Sequence, residues 1–274
     1  MLPLNIKGQI NKAFVSALGR NNCFPPQIIY NSIILLNSIF YEFVMSTENF
    51  KKQLFSHFAR IGSALSNGNR LELLDYLAQG ERTVETLAKL TDLSVANASQ
   101  HLQLLRRSGL VDTRRAGLYV HYRLADLQVT LLINVMRKLA ESQLAEVSRL
   151  VQSYLTKKDQ LEPVPRAELL QRAREGLVTV LDVRPEEEFA AGHLPGALNI
   201  PLKKLEQHLE ELPHEQEVVA YCRGPYCVLA YEAVAKLRAK GFKARRLEDG
   251  FPEWKLAGLP VEETITLKEG KAKS

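Results

Sequence analysis

Apolar residues recur along this chain with two different periods, and the change from one to the other divides it. Between residues 45 and 155 the spacing is helical. Leu71, Leu74 and Leu77 form one stripe closed by Gly80, and Thr83 to Lys89 opens a short second helix after a turn. Asp92-Leu93-Ser94 then starts a third helix, Val95 to Ser108, whose Ala98, Leu102 and Leu105 face inward and which Gly109 ends. A hairpin follows, Leu110 to Thr113 and Tyr119 to Leu124, turning at Ala116-Gly117. Two longer apolar stripes flank this unit: Phe50, Leu54, Phe58, Ile61 and Leu65 before it, and Leu127, Leu131, Val135, Leu139, Val147, Leu150 and Val151 after it. So small a core cannot cover both, and the pattern predicts a two-fold homodimer.

Thr156 to Pro165 is polar with two prolines and reads as a short, stiff linker. Beyond it the pattern changes. The run ending in Tyr221 reads as a buried parallel strand, and Val228, Ala230, Tyr231, Val234, Ala235 and Leu237 recur at helical spacing. Cys222 therefore falls on a strand-to-helix loop, Cys222-Arg223-Gly224-Pro225-Tyr226-Cys227. There the unpaired N–H groups of the helix's first turn and its dipole are expected to favour thiolate over thiol at Cys222. Cys227 has two readings, an apolar cap of that first turn or a resolving thiol for an oxidised or persulfidated Cys222.

Charge separates the same two halves. Residues 45 to 158 carry 16 Lys and Arg against 10 Asp and Glu, whereas residues 159 to 274 carry 17 against 20. The excess of cations places a nucleic-acid contact in the first half. Ser94, Asn97, Ser99, Gln100 and His101 lie on the outer face of the third helix and suit the reading of base edges. Arg114, Arg115 and Arg123 on the hairpin could reach phosphate or the minor groove.

The segment Leu93-Ser94-Val95-Ala96-Asn97-Ala98-Ser99-Gln100-His101-Leu102-Gln103-Leu104-Leu105-Arg106-Arg107-Ser108-Gly109-Leu110-Val111 resembles the recognition helix of ArsR-type repressors. Val95 stands where that family often has Gln. Members that sense metal do so through cysteines on the helix-turn-helix or a His/Asp cluster on the last helix. Glu81 to Leu93 has no thiol here and Leu124 to Leu155 no histidine, so neither a metal site nor a cofactor is expected, and any thiol chemistry falls to the C-terminal half.

Leu181-Asp182-Val183-Arg184-Pro185, the Gly192-His193-Leu194-Pro195-Gly196-Ala197 segment, the cysteine loop, and Asp249-Gly250-Phe251-Pro252-Glu253-Trp254 resemble, in order and spacing, the four motifs of the rhodanese family. The resemblance covers about residues 160 to 262 and implies a doubly wound α/β domain with a persulfide carried on Cys222. A loop of six residues from Cys222 to Cys227 matches the family's sulfurtransferases. Related phosphatases and arsenate reductases use seven with a terminal Arg, and the seventh position here is Val228. Cys227 replaces the commoner Arg, Thr or Ser, so Arg223 is the candidate partner for an anionic donor. His193 reads as a hydrogen-bonding residue, and Asp182 with Arg184 as a buried ion pair holding the base of the loop.

The expected architecture is multidomain: a mainly α winged helix-turn-helix domain over 45–157, followed by a doubly wound α/β rhodanese-like domain over 158–264 and a charged tail over 265–274. Residues 1–44 differ in composition, holding 7 Ile and 6 Asn, against 4 Ile and 6 Asn in all that follows; they read as an over-extended start, a weakly ordered arm, or an anchor. Ile28 to Val44 is short and interrupted for a membrane span. Three cysteines, two of them in one loop, fit a reducing cytoplasm, with no membrane partner. The expected function is a DNA-binding regulator, a repressor on double-stranded operator DNA, that senses sulfur or redox state through a persulfide on Cys222. The alternative is a sulfurtransferase tethered to a DNA-binding domain. Both take a small sulfur donor: thiosulfate, polysulfide or a persulfide.

Overall fold

The computed structural model describes residues 26–156 and 162–264; the 265–274 tail, residues 1–25 and the middle of the linker lie outside them. The chain divides into two compact units after Arg60. Helix α1, Pro26–Leu65, passes through Met45 without a break, so the change of composition there is not an element boundary. No described helix is long and apolar enough to cross a membrane.

From Ile61 onward the first elements are α2 (Gly68–Leu77), β1 (Arg82–Thr83), α3 (Val84–Leu90), α4 (Val95–Arg107), β2 (Val111–Ala116), β3 (Tyr119–Leu124) and α5 (Leu127–Gln143). Side chains start the helices. Asn67, Thr83 and Ser94 each accept from a backbone N–H in the first turn of α2, α3 and α4, and Asp126 does so for α5. Asp92 takes φ +52° in the turn between α3 and α4, a conformation Asp tolerates better than most residues. The expected inward residues Ala98, Leu102 and Leu105 have no exposed surface, and the two leucines pack with Leu73, Leu74, Leu77 and Leu87. The hairpin pairs Val111 with Leu124 through Ala116 with Tyr119, and β1, which the sequence pattern did not predict, adds a third strand on β3.

The second half holds α7 (Arg166–Arg174), β4 (Val178–Asp182), α8 (Glu186–Ala190), β5 (Leu198–Asn199), β6 (Glu217–Tyr221), α9 (Val228–Ala239), β7 (Ala244–Arg246) and α10 (Phe251–Leu256), reached from α5 through α6 (Ala145–Leu150) and a π-helical turn. Its sheet is wholly parallel, in the order β5-β4-β6-β7. The chain moves from β4 to one side and returns to the other, so the carboxyl ends of β4 and β6 bound a crevice at the switch point. Alternation along β6 builds two cores. Val218, Ala220 and Cys222 pack with α9, and Val219 and Tyr221 pack with Leu169, Phe251 and Trp254. In α9 the buried position is Ala233, and Ala235, expected inside, is exposed. Val164, placed in the linker by its neighbours, is fully buried and bridges to Leu247 as an extra sheet residue.

Gly250 is fixed by contact rather than by backbone angle. A Cβ there would lie 2.2 Å from the Gly224 nitrogen and 2.5 Å from the Arg223 carbonyl carbon, so the cysteine loop rests directly on this residue. Gly250→Ala must push the loop away, at a cost of about 1–3 kcal/mol from overpacking. The urea midpoint followed by fluorescence of Trp254, the lone tryptophan and a buried one, should fall accordingly. An unchanged midpoint would contradict this contact.

Candidate functional site

The loop from Cys222 to Cys227 leaves the carboxyl end of β6 and enters α9, for which Cys227 is the N-cap residue. Two backbone bonds set its ends: Phe251 N–H donates to the Cys222 carbonyl at 3.0 Å, and Cys227 N–H to the Gly224 carbonyl at 3.1 Å. Cys222 is 1% exposed, whereas Cys227 is half-buried. The Cys222 thiol faces two carbonyl oxygens, Cys227 at 3.4 Å and Gly224 at 3.9 Å, and also lies within hydrogen-bond reach of the Cys227 sulfur.

Burial works against the thiolate expected at Cys222. Burial pushes the Cys222 thiol well up, outweighing the Ala230 and Gly224 N–H groups that would favour its thiolate. Cys227 is held down to about 7 by the hydrogen bond from Cys222, with the N–H groups of Arg223 and Leu229 and the Arg223 charge adding to it.

Below the loop, Asp182 and Arg184 are both fully buried. Arg184 Nη2 and Nε reach Asp182 at 2.6 and 3.0 Å, and Nη2 also donates to the Gly192 carbonyl at 2.8 Å. The guanidinium lies 4.4 Å from the centre of the Phe251 ring. His193 stacks on Phe189 at 3.6 Å, meets the Phe189 carbonyl through Nδ1 at 2.9 Å, and pairs by backbone with Glu262. Arg223 does not stand open to an anionic donor: Nε and Nη2 fork onto the buried Glu188 carboxylate at 3.0 and 2.7 Å.

Sequence reasoning missed the side chains that reach this loop from the helical half. Gln79, just past α2, is a buried amide that donates to the Arg223 carbonyl at 3.3 Å and accepts from Arg184 Nη1 at 3.2 Å. The Tyr76 ring centre lies 5.0 Å from the Arg223 guanidinium. Arg82 approaches Glu188 at 3.8 Å. From α5, Glu141 accepts from the Tyr226 hydroxyl, while Arg137 bonds Asp75 at 2.5 Å and reaches Glu253 at 4.0 Å. Both long side chains of the cysteine loop, Arg223 and Tyr226, therefore end on helical-half residues or on a carboxylate those residues touch. Gly224 and Pro225 give the loop its backbone; the Pro225 carbonyl accepts from Tyr231 at 3.1 Å.

Elsewhere in the helical half, Asn97 and Gln100 are exposed on α4 and Ser99 is half-buried. Ser94 is exposed but its hydroxyl caps α4, accepting from Asn97 N–H at 3.2 Å. His101 is half-buried, and burial together with Arg70 lowers its pKa. Gln103, Arg106 and Arg107 are exposed along α4, and the same helical spacing could have found them. On the hairpin Arg115 is exposed, Arg123 lies 3.9 Å from Asp112, and Arg114 is forked onto Glu81 at 2.6 and 3.0 Å. The basic count of the wing overstated its open charge, because Glu81, 33 residues earlier, is paired by the fold.

Residues 65–114 match the model of a helix-turn-helix domain and residues 165–257 that of a rhodanese-like domain. The chain is 46% identical over 220 residues to the HTH-type transcriptional regulator Rv0324 of Mycobacterium tuberculosis, spanning 80% of this chain and 96% of that protein. Over 85 residues, 31% of this chain and 78% of the relative, it is 33% identical to a sulfurtransferase of Allochromatium vinosum. Among solved structures it is similar to the homodimeric winged helix-turn-helix DNA-binding domain (fragment 1–100) of Mb0332 from Mycobacterium bovis, with 43% identity, a TM-score of 0.34, and coverage of 35% of this chain and 89% of that one. This chain belongs to the helix-turn-helix transcriptional regulators of the ArsR type that carry a C-terminal rhodanese-like domain.

Proposed function

We propose that this regulator binds operator DNA as a homodimer, acts as a repressor, and changes its affinity when a small sulfur donor modifies the cysteine loop. One observation carries the reading: in the loop, the Arg223 and Tyr226 side chains and the Arg223 carbonyl are seated against Tyr76, Glu141 and Gln79 of the helical half. A new bond to sulfur in the loop must move its backbone. The seat then changes with it, and a binding difference can pass to α4 by direct contact rather than through the linker.

DNA contact is supported by the exposed polar face of α4 and the exposed Arg115. Dimerisation is supported by α5, whose inner residues Val129 and Ile133 are buried while Leu127, Leu131, Val135 and Leu139 stay exposed. Two such faces brought together would remove them from water. The tethered sulfurtransferase is favoured less, because repeated turnover needs ready access to a sulfur that is 1% exposed. Cytoplasmic residence follows from the regulatory reading.

Gln100→Ala should relax discrimination between operator and random DNA, by about 1–3 kcal/mol for each base-edge hydrogen bond removed. Arg115→Ala should instead weaken binding to all sequences and lower the salt slope by about 0.9. Arg114→Ala should change that slope less, since Glu81 already neutralises it. Fluorescence titration across a salt series separates the three, and a large slope change confined to Arg114→Ala would overturn the assignment.

Titration of labelled operator with reduced and polysulfide-treated protein tests the coupling. The two affinities should differ about 5–150-fold. In Tyr226→Phe, which cannot donate to Glu141, that ratio should fall toward one while reduced-state binding is kept. Equal affinities in the unsubstituted protein would leave the sulfurtransferase as the better account.

A further inference from the structure

A pocket of about 460 Å³ opens where the helical half meets the end of the cysteine loop, a size and a place that small ligands use. One wall is the inner face of α5, the next is α6 with the π-helical turn Val151–Thr156, and the last is Tyr226 and Val228, the residues on either side of Cys227. Ala140, Val147, Leu150, Val151, Leu155 and Val228 give it an apolar lining. The sequence pattern ran Val147, Leu150 and Val151 on from the outer leucines of α5. The backbone does not: Leu144 is extended and ends α5, so α6 does not keep its phase and these residues turn to the pocket instead.

The position of the pocket excludes the dimer partner as its cover. Arg137 and Ala140 recur at helical spacing with the buried Val129 and Ile133, whereas the exposed Leu127, Leu131, Val135 and Leu139 lie on the other side of α5. A second copy docked on those leucines leaves the pocket open. The polar side chains of the wall, in turn, are already bonded. Arg137 donates to Asp75 at 2.5 Å and to Asn134 at 3.3 Å, Ser153 Oγ to the Leu150 carbonyl at 3.2 Å, and the Tyr226 hydroxyl to Glu141; Tyr154 is engaged too. A charged ligand would lose its water there and gain no partner.

We infer that this pocket binds an uncharged, apolar small molecule, a second effector that acts on the cysteine loop through Tyr226 and Val228 and not through sulfur. Such a ligand touches α5, α6 and the end of the loop at once, so its binding favours one placing of Tyr226 on Glu141 over others. Binding needs only the pocket; an effect on operator affinity rests on the regulatory reading above.

The test uses the full-length protein and N-phenyl-1-naphthylamine, an uncharged probe whose fluorescence rises in apolar surroundings. A saturable site on each protomer is expected. The sulfonated analogue 8-anilinonaphthalene-1-sulfonate should bind about tenfold more weakly or worse, because the pocket offers its charge no partner. Leu150→Gln should weaken the uncharged probe about tenfold. Since Leu150 is exposed, the urea midpoint of that variant should stay in place. Leu139→Gln, on the outer face of α5, should leave probe binding unchanged. Saturating probe should shift affinity for a duplex selected by the protein from a random library about fivefold or more. Loss of binding in Leu139→Gln with Leu150→Gln unaffected would put the probe on the leucine face and overturn the inference. So would the lack of a saturable site, or a site that appears only in Leu161→Gln, which would give the pocket to the linker. Probe binding with DNA affinity unmoved would overturn the effector role, and a protein that binds the probe but selects no duplex would overturn the regulatory reading instead.

Discussion

A guanidinium with no exposed surface holds the crevice together. Arg184 is tolerated inside because nearly every donor has a partner: the Asp182 carboxylate from its own strand end, the Gly192 carbonyl from the following loop, and the Gln79 amide from the helical half. Removing one member of such a set leaves a buried charge unmatched, at about 3–5 kcal/mol. The same group that fixes the carboxyl end of β4 is thus satisfied in part by the DNA-binding half. Gln79 turns its other end to the Arg223 carbonyl, so one amide touches both the floor and the rim of the cysteine loop.

The remaining contacts follow from that arrangement. Gly250 lets the loop backbone settle on the start of α10, and Phe251 N–H secures the Cys222 carbonyl. Glu188 neutralises Arg223 and faces Arg82. The loop is therefore held from below by its own domain and from the side by the other, a construction in which a covalent change at sulfur has few places to relax except the shared seat.

Much of this was legible in the sequence, and the exceptions have physical causes. The helical half could be read because Ala98, Leu102 and Leu105 keep a strict spacing between a Ser cap and a Gly stop, and the fold buries all three. The parallel sheet was legible from the motifs around Asp182, Gly192, Cys222 and Gly250. Ala233 and Ala235 were confused because small residues give little contrast between faces in α9. The seat was invisible: Gln79 and Arg184 are 105 residues apart, both polar, and no local pattern pairs them. The depth of Cys222 was not legible either, because a loop-to-helix junction predicts N–H donors but not which of two cysteines the fold buries.

If the loop and the DNA-binding face are coupled through this seat, the coupling is reciprocal. The most direct measurement is the polysulfide concentration at which half of the protein carries the loop modification, with and without saturating operator DNA. The account predicts that operator shifts this midpoint by the same factor, about 5–150-fold, by which the modification shifts operator affinity. A midpoint that operator leaves in place, while affinity still responds to polysulfide, would contradict it.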